Sequence, residues 1–332
     1  MARTRIEEID ILRGIAAVLM ILGHSFIEYP VDISTVSWCH ALGHFIYTFH
    51  MELFFLLAGA VYHCSSYSLF MEKKFKRILV PYLFFGTITI LLKSYGGSAI
   101  NGNESVGYGF IKFLFHGGNY WFLYVLFILF ALFPWLEKIF KTTWSEIALC
   151  CGILLVRQFC CLPNLFAFDT LLYYLPFFIF GKLFIQSIDN KVSRLNAKSK
   201  IIFFIVFSAI FIALDFIEIS GVVVELGTFL SFIRAIAIIL PLYVFVKLYL
   251  VSTQRRGFIY NLLIDSSKYS LQFYLFNGFL LTFLRIMICN VFNITSPLII
   301  VVGIWTLDIL FTLIACKIII PKIPLLRELC GL

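Results

Sequence analysis

Charged residues are scarce in this sequence, at 13% of 332 positions, where a soluble domain carries about 25%. That shortage, with 61% hydrophobic residues and a mean hydropathy of +0.99, excludes a water-soluble globular fold and points to a polytopic membrane protein. No internal repeat, low-complexity tract or soluble domain interrupts the apolar chain, so residues 1–332 read as one membrane domain. The first hydrophobic run lacks a small-residue cleavage site and keeps Asp10, Arg13 and His24. It reads as a retained span rather than a signal peptide. The nine cysteines lack metal-ligand spacing, and Cys150, Cys151, Cys160 and Cys161 crowd one apolar segment where cysteine packs as a small hydrophobe. No metal is expected.

What is present is a series of long apolar segments. At about 20 residues per span, the chain accommodates about ten transmembrane helices: 9–27, 45–62, 78–95, 119–136, 146–162, 170–187, 201–221, 226–249, 269–289 and 297–319. The expected fold is therefore an all-α integral membrane bundle. With the N-terminus in the cytoplasm, only Lys93, Lys112, Arg157, Arg234 and Arg285 of the 26 basic residues fall on the outer side. The positive-inside rule then gives cytoplasmic N- and C-termini. The net charge of +8 is thus mostly topology and implies no nucleic-acid partner.

Ionisable groups inside spans cost roughly 2.5–3.5 kcal/mol each on insertion scales, which draws attention to Arg13 and His24 in IDILRGIAAVLMILGHSF. Eleven residues apart, they are separated by roughly 16 Å along a helix at 1.5 Å per residue. His50 in the antiparallel second span reaches a similar depth to His24, with Glu52 two residues on. A histidine oriented by a carboxylate suits a general base; the structural alternative is a ring bonded to a backbone carbonyl that holds helices together. The third span opens with MEKKFKRILVPYLFFG, where Lys73, Lys74, Lys76 and Arg77 precede Pro81. Such a cluster is either a positive-inside anchor or, with Arg13, a site for a polyphosphate. Tyr120 and Trp121 begin the fourth span as an aromatic belt, with sugar stacking as the second reading. Asp215, Glu218, Arg234, Asn277, Arg285 and Asp308 are further embedded polar groups that could line the same cavity.

In order along the chain, IDILRGIAAVLMILGH, FHMELFFLLAGAVY, KKFKRILVPYLFFG, YWFLYVLFILFAL, YYLPFFIFGK and SSKYSLQFYLFNGF resemble membrane acyltransferase family 3. These are integral-membrane O-acyltransferases, and the likeness is greatest to the branch related to fucose 4-O-acetylases. The resemblance implies acetyl transfer from cytoplasmic acetyl-coenzyme A, as acyl donor, to a hydroxyl of a carbohydrate or lipid-linked glycan of the cell envelope, in a bacterial inner membrane. Arg13 and His24 match the family's arginine–histidine pair. Lys74 and Arg77 match its basic pair, with lysine where arginine is common. His50 matches a frequent histidine, Glu52 stands where proline is usual, and Asn277 stands where a histidine often follows a tyrosine–leucine pair. The expected roles are catalytic for His24, His50 and Glu52, donor-binding for Arg13, Lys74 and Arg77, and acceptor-binding for Trp121, Tyr120 and Asn277. The chain ends soon after the last span, so no appended esterase-like domain is expected.

Two other classes share the many spans. A transporter or flippase of a lipid-linked saccharide or organic anion also uses intramembrane Arg, His and Glu, but repeated halves and paired broken helices are missing from this sequence. A glycan polymerase usually carries a large outer loop, whereas the longest here is about 23 residues, near 96–118.

Overall fold

The computed structural model describes residues 6–95, 105–219, 227–252 and 257–332. Of the basic residues expected on the inner side, Arg3, Arg5, Arg255 and Arg256 lie outside the described residues. Among the described residues the regular elements are helical, with no strand. In chain order they are α1 (Glu7–His24), α2 (Ser37–Tyr47), α3 (His50–Ala60), α4 (Tyr67–Lys74), α5 (Val80–Tyr95), α6 (Val106–His116), α7 (Trp121–Ile139) and α8 (Thr143–Phe159). There follow α9 (Phe168–Arg194), α10 (Ala197–Ile219), α11 (Thr228–Ser252), α12 (Phe258–Lys268), α13 (Ser270–Arg285), α14 (Pro297–Ile314) and α15 (Pro324–Leu329).

Among the described residues, eight helical stretches are long and apolar enough to cross a membrane, which makes this a multi-pass membrane protein. They fall on eight of the ten expected spans. The other two coincide with α1, whose first two turns hold Glu7, Glu8, Asp10 and Arg13, and with α8, which is 17 residues long.

Helix α1 is the hub, packed against α2, α3, α11, α12, α13 and α14. Its apolar residues run round the helix, with Ile9, Ile11, Leu12, Ala16, Ala17, Met20 and Ile21 all buried, the pattern of a central rather than a peripheral helix. Gly14 admits α12 to direct backbone contact, since a Cβ there would collide with the Leu263 carbonyl. Helix α12 lies in the connection before the ninth span, where the hydropathy marked no element. It holds the N-terminal half of α1: the Tyr260 hydroxyl donates to Glu7, and the Ser267 hydroxyl donates to Asp10 at 3.5 Å.

Two further departures from the sequence reading bear on the site. The second span is not one continuous helix: Phe49, at φ −150° and ψ −15°, separates α2 from α3 just before His50. The expected outer loop also contains α6, capped by Ser105, which accepts from the Tyr108 N–H, and ended by Gly117 at φ +79°. Residues 96–104 of that loop lie outside the described residues.

Small residues fix the crossing of α3 and α9. A Cβ on Gly59 would collide with the Phe178 carbonyl, and one on Gly181 with the Leu56 carbonyl, so two glycines bring the backbones together. Contacts advance in step along both helices, from Glu52–Tyr173 to Phe55–Tyr174 to Tyr62–Phe178. The two helices therefore run parallel.

A π-helical turn, Phe75–Leu79, joins α4 to α5. Its cause is local: Pro81 has no N–H to offer the Arg77 carbonyl, and its ring crowds that oxygen. The C-terminal segment closes over this turn, with Gly331 at φ +72° lying against the Arg77 carbonyl. The Gln272 amide donates to the Cys330 carbonyl at 2.7 Å and ties α13 to the same end.

Candidate functional site

His24 is the last residue of α1 and His50 the first of α3. His24 Nδ1 lies 2.8 Å from the Met20 carbonyl and His50 Nδ1 lies 2.9 Å from the Ile46 carbonyl. A carbonyl oxygen can only accept, so Nδ1 carries the proton in both rings. Each neutral imidazole then presents its Nε2 lone pair. The exposed ring of Tyr47 stands between them, edge-on to His24 at 6.2 Å and to His50 at 5.1 Å. The sequence reading overlooked Tyr47, although His44, Tyr47 and His50 recur every third residue and so share one side of a helical segment.

Glu52 is buried in the same helix but does not touch either imidazole. Its Oε1 accepts from the Tyr173 hydroxyl at 3.1 Å, and its Oε2 has no hydrogen-bond partner among the described residues. The orienting of both histidines falls to backbone carbonyls instead. Two residues along a helix turn the side chain by about 200°, which sends Glu52 toward Tyr173 of α9 while His50 faces Ile46 and Tyr47 of α2.

Around Glu52 a polar layer crosses the bundle. Arg157 of α8 grips Asp169 of α9 with two hydrogen bonds of 2.8 Å, and its guanidinium lies 4.8 Å from the Tyr173 ring. Arg234 of α11 is buried, pairs with Glu218 and lies 3.6 Å from Asp215, both of α10. His44 Nε2 meets Asp215 at 2.9 Å and Glu218 at 3.9 Å. The ligand atoms of His44, Asp215 and Glu218 lie within 4.8 Å of one another, a spacing a metal ion could bridge. Arg234 already supplies the positive charge at that spot, against both carboxylates.

The basic residues gather toward the other end of α1. Lys74 Nζ sits 3.7 Å from the Phe130 ring centroid and 5.1 Å from that of Phe70, a cation–π seat. The charges of Arg77 and Arg13 both act on it. Arg13 also lies 3.6 Å from Asp10, while Lys76 is matched by Glu72 at 2.6 Å. Neither Lys74 nor Arg77 has a carboxylate partner among the described residues. An ammonium on which two guanidinium charges act suits a multiply charged anion.

The remaining expected residues do not join either group directly. Tyr120 is buried, and its hydroxyl donates to the Leu275 carbonyl at 3.1 Å and approaches Thr89 at 3.3 Å. Trp121 stacks on Tyr174 at 5.5 Å, and Tyr174 stacks on Phe55 at 4.2 Å, so its ring spends one face on the bundle. Asn277 donates to Asp308 at 3.0 Å, with Thr312 on the other carboxylate oxygen at 3.3 Å. That buried trio joins α13 to α14.

No curated protein and no solved structure matches the chain. A family model described as an acyltransferase domain matches residues 6–316, nearly the whole chain, taking in both histidines, Arg13, the basic turn and the polar layer. On that match the protein belongs to acyltransferase family 3 and is a membrane acyltransferase.

Proposed function

We propose that the protein moves an acetyl group, or another short acyl group, from cytoplasmic acyl-coenzyme A to a hydroxyl of a cell-envelope carbohydrate or its lipid-linked precursor. The observation that carries this reading is the pair of imidazoles at one end of α1, each anchored through Nδ1 with Nε2 left to accept a proton. The motif likeness to fucose 4-O-acetylases favours a sugar hydroxyl as acceptor and the bacterial inner membrane as the location. Arg13, Lys74 and Arg77 bind the phosphates of the coenzyme near the cytoplasmic face, where an anion relieves their mutual repulsion. The acyl end of the donor extends up the bundle toward His24.

His24 Nε2 takes the acceptor proton as the hydroxyl oxygen bonds to the thioester carbonyl carbon. The carbon–sulfur bond then breaks, and the imidazolium returns the proton to the departing thiolate, so no proton is gained or lost. His50 stands beside this step across Tyr47. General-base help of this kind is worth about 10²–10⁴-fold in rate.

Purified protein given radiolabelled acetyl-coenzyme A and membrane glycan should move label into an alkali-labile ester. His24→Ala should abolish that transfer while the protein accumulates normally in the membrane. More than about a tenth of the wild-type rate in the variant would remove His24 from the base role.

A further inference from the structure

Away from the histidines, α5, α6 and the turn Gly118–Tyr120 form a cleft of about 280 Å³, its open mouth included. Lys93 of α5 and Lys112 of α6 both line it, and Thr89, Asn119 and Tyr120 supply its neutral polar groups. No carboxylate lines it among the described residues. Lys93 donates to Asn119 Oδ1 at 3.2 Å, which leaves the amide nitrogen of Asn119 as a further donor. The same bond draws the Lys93 ammonium toward Lys112. Asn119 follows Gly118, where a Cβ would lie 3.4 Å from the Cα of Phe113, the residue after Lys112. Glycine also holds the two helices close: a Cβ on Gly86 would strike the Phe113 ring, and one on Gly109 the Ile90 side chain.

Five basic residues are expected on the side of the membrane away from the basic turn. Arg157 and Arg234 are matched by carboxylates and Arg285 lies over the Tyr29 ring; the other two share this cleft. Two ammonium groups and an amide around one small space, with no acid among its lining, suit a phosphate. The surroundings are apolar. Leu91, Leu92, Ile111 and Leu114, next to the lysines in sequence, are exposed, as residues that meet lipid tails are.

We propose that this cleft binds the phosphate of an anionic lipid, delivered from the bilayer. It lies at the far end of α5 from the basic turn: Lys93 comes 16 residues after Arg77, about 24 Å along a helix axis. Basic pockets between transmembrane helices bind lipid head groups through contacts of this kind. A bilayer phospholipid and a polyprenyl phosphate, the class of lipid that carries a glycan, offer the same group. The proposal goes beyond acyl transfer and does not depend on it.

Native mass spectrometry of the full chain, released from detergent micelles, counts bound lipid, and titration gives its Kd. Two probe pairs differ only in phosphate: phosphatidic acid with diacylglycerol, and a polyprenyl phosphate with its polyprenol. At least one phosphate-bearing member is expected to bind about tenfold or more tighter than its alcohol. Lys93→Gln and Lys112→Gln should each erode that preference about tenfold, the worth of one charge-assisted hydrogen bond. Lys138→Gln, which removes an exposed charge near the end of α7, should leave it intact, and so should Lys93→Arg combined with Lys112→Arg. Tighter binding of the polyprenyl phosphate would support the site with a glycan carrier as its ligand. Equal or tighter binding of phosphatidic acid would support it with a bilayer lipid. No preference for phosphate in either pair, an undiminished preference in both Gln variants, an equal loss in Lys138→Gln, or binding of inorganic phosphate with neither lipid bound would overturn the proposal. Coenzyme A takes no part in these measurements, so a failure of the proposed acyl donor would leave this site standing.

Discussion

Lys74 stands in an unusual setting for an ammonium: two aromatic rings beneath it, two arginine charges acting on it, and no carboxylate partner among the described residues. A residue kept only to anchor a helix end would tolerate exchange for its neighbour Lys76, which is exposed and paired with Glu72. The expected outcome separates the two. Lys74→Gln and Arg77→Gln should each weaken acetyl-coenzyme A binding by roughly ten- to a hundredfold, the worth of one charge-assisted hydrogen bond at about 1.5–3 kcal/mol. Lys76→Gln should leave it near wild type. Equilibrium binding of labelled coenzyme to the purified protein measures all three, and equal losses across them would reduce the cluster to a topological anchor. The basic pair and the Arg13–His24 spacing were legible in the sequence because each lies within one segment. Tyr47 was legible too, through its three-residue spacing, but an aromatic at a helix end reads as packing until its neighbours are seen.

Helices α3 and α9 meet through glycine, and the meeting decides where Glu52 finds Tyr173. A methyl group on Gly59 would have to displace the Phe178 backbone, not a flexible side chain; forced shifts of that kind typically cost about 1–3 kcal/mol. Gly59→Ala should therefore lower Tm and, by spreading the helices, lower acyl transfer as well. Gly152→Ala in α8 is the contrasting case. Nothing lies within 4 Å of a Cβ there, so the substitution should be neutral or stabilising by up to about 1 kcal/mol. Thermal unfolding of both variants in one detergent checks the pair, and a stable, active Gly59→Ala would mean the close crossing is not needed. Little of this element-level arrangement was readable beforehand. Hydropathy located the apolar segments, because burying or exposing some twenty residues to lipid leaves a strong signal. It did not show that α3 and α9 pack against each other, or that residues 121 and 171 positions apart would pair as Glu52–Tyr173 and His44–Asp215. Partner choice between distant helices depends on small residues and single polar groups, which leave no periodic trace. The break at Phe49 and the separate α12 are likewise set by tertiary packing.

For the whole molecule, the proposed transfer from coenzyme A has the two ends of α1 facing different compartments, with the basic end toward the coenzyme. The charge distribution supplies the proposed direction, which thiol labelling decides: an N-terminus inside would place Lys73–Arg77 in the cytoplasm and the segment after α8 outside. The protein carries its own reporters of that choice. Cys160 and Cys161 are exposed just beyond the end of α8, whereas Cys330 is buried and its thiol is pushed up to about 11 by that burial. Maleimides react with the thiolate, so Cys330 stays silent and lipid-facing thiols do too. A membrane-impermeant maleimide should therefore label intact cells expressing the protein, and Cys160→Ser with Cys161→Ser should remove that label. A cysteine introduced at Ser66, between α3 and α4, should label only after the cells are permeabilised. The reverse pattern would put Arg13, Lys74 and Arg77 outside, away from any cytoplasmic coenzyme, and the donor site would have to be sought at the histidine end instead.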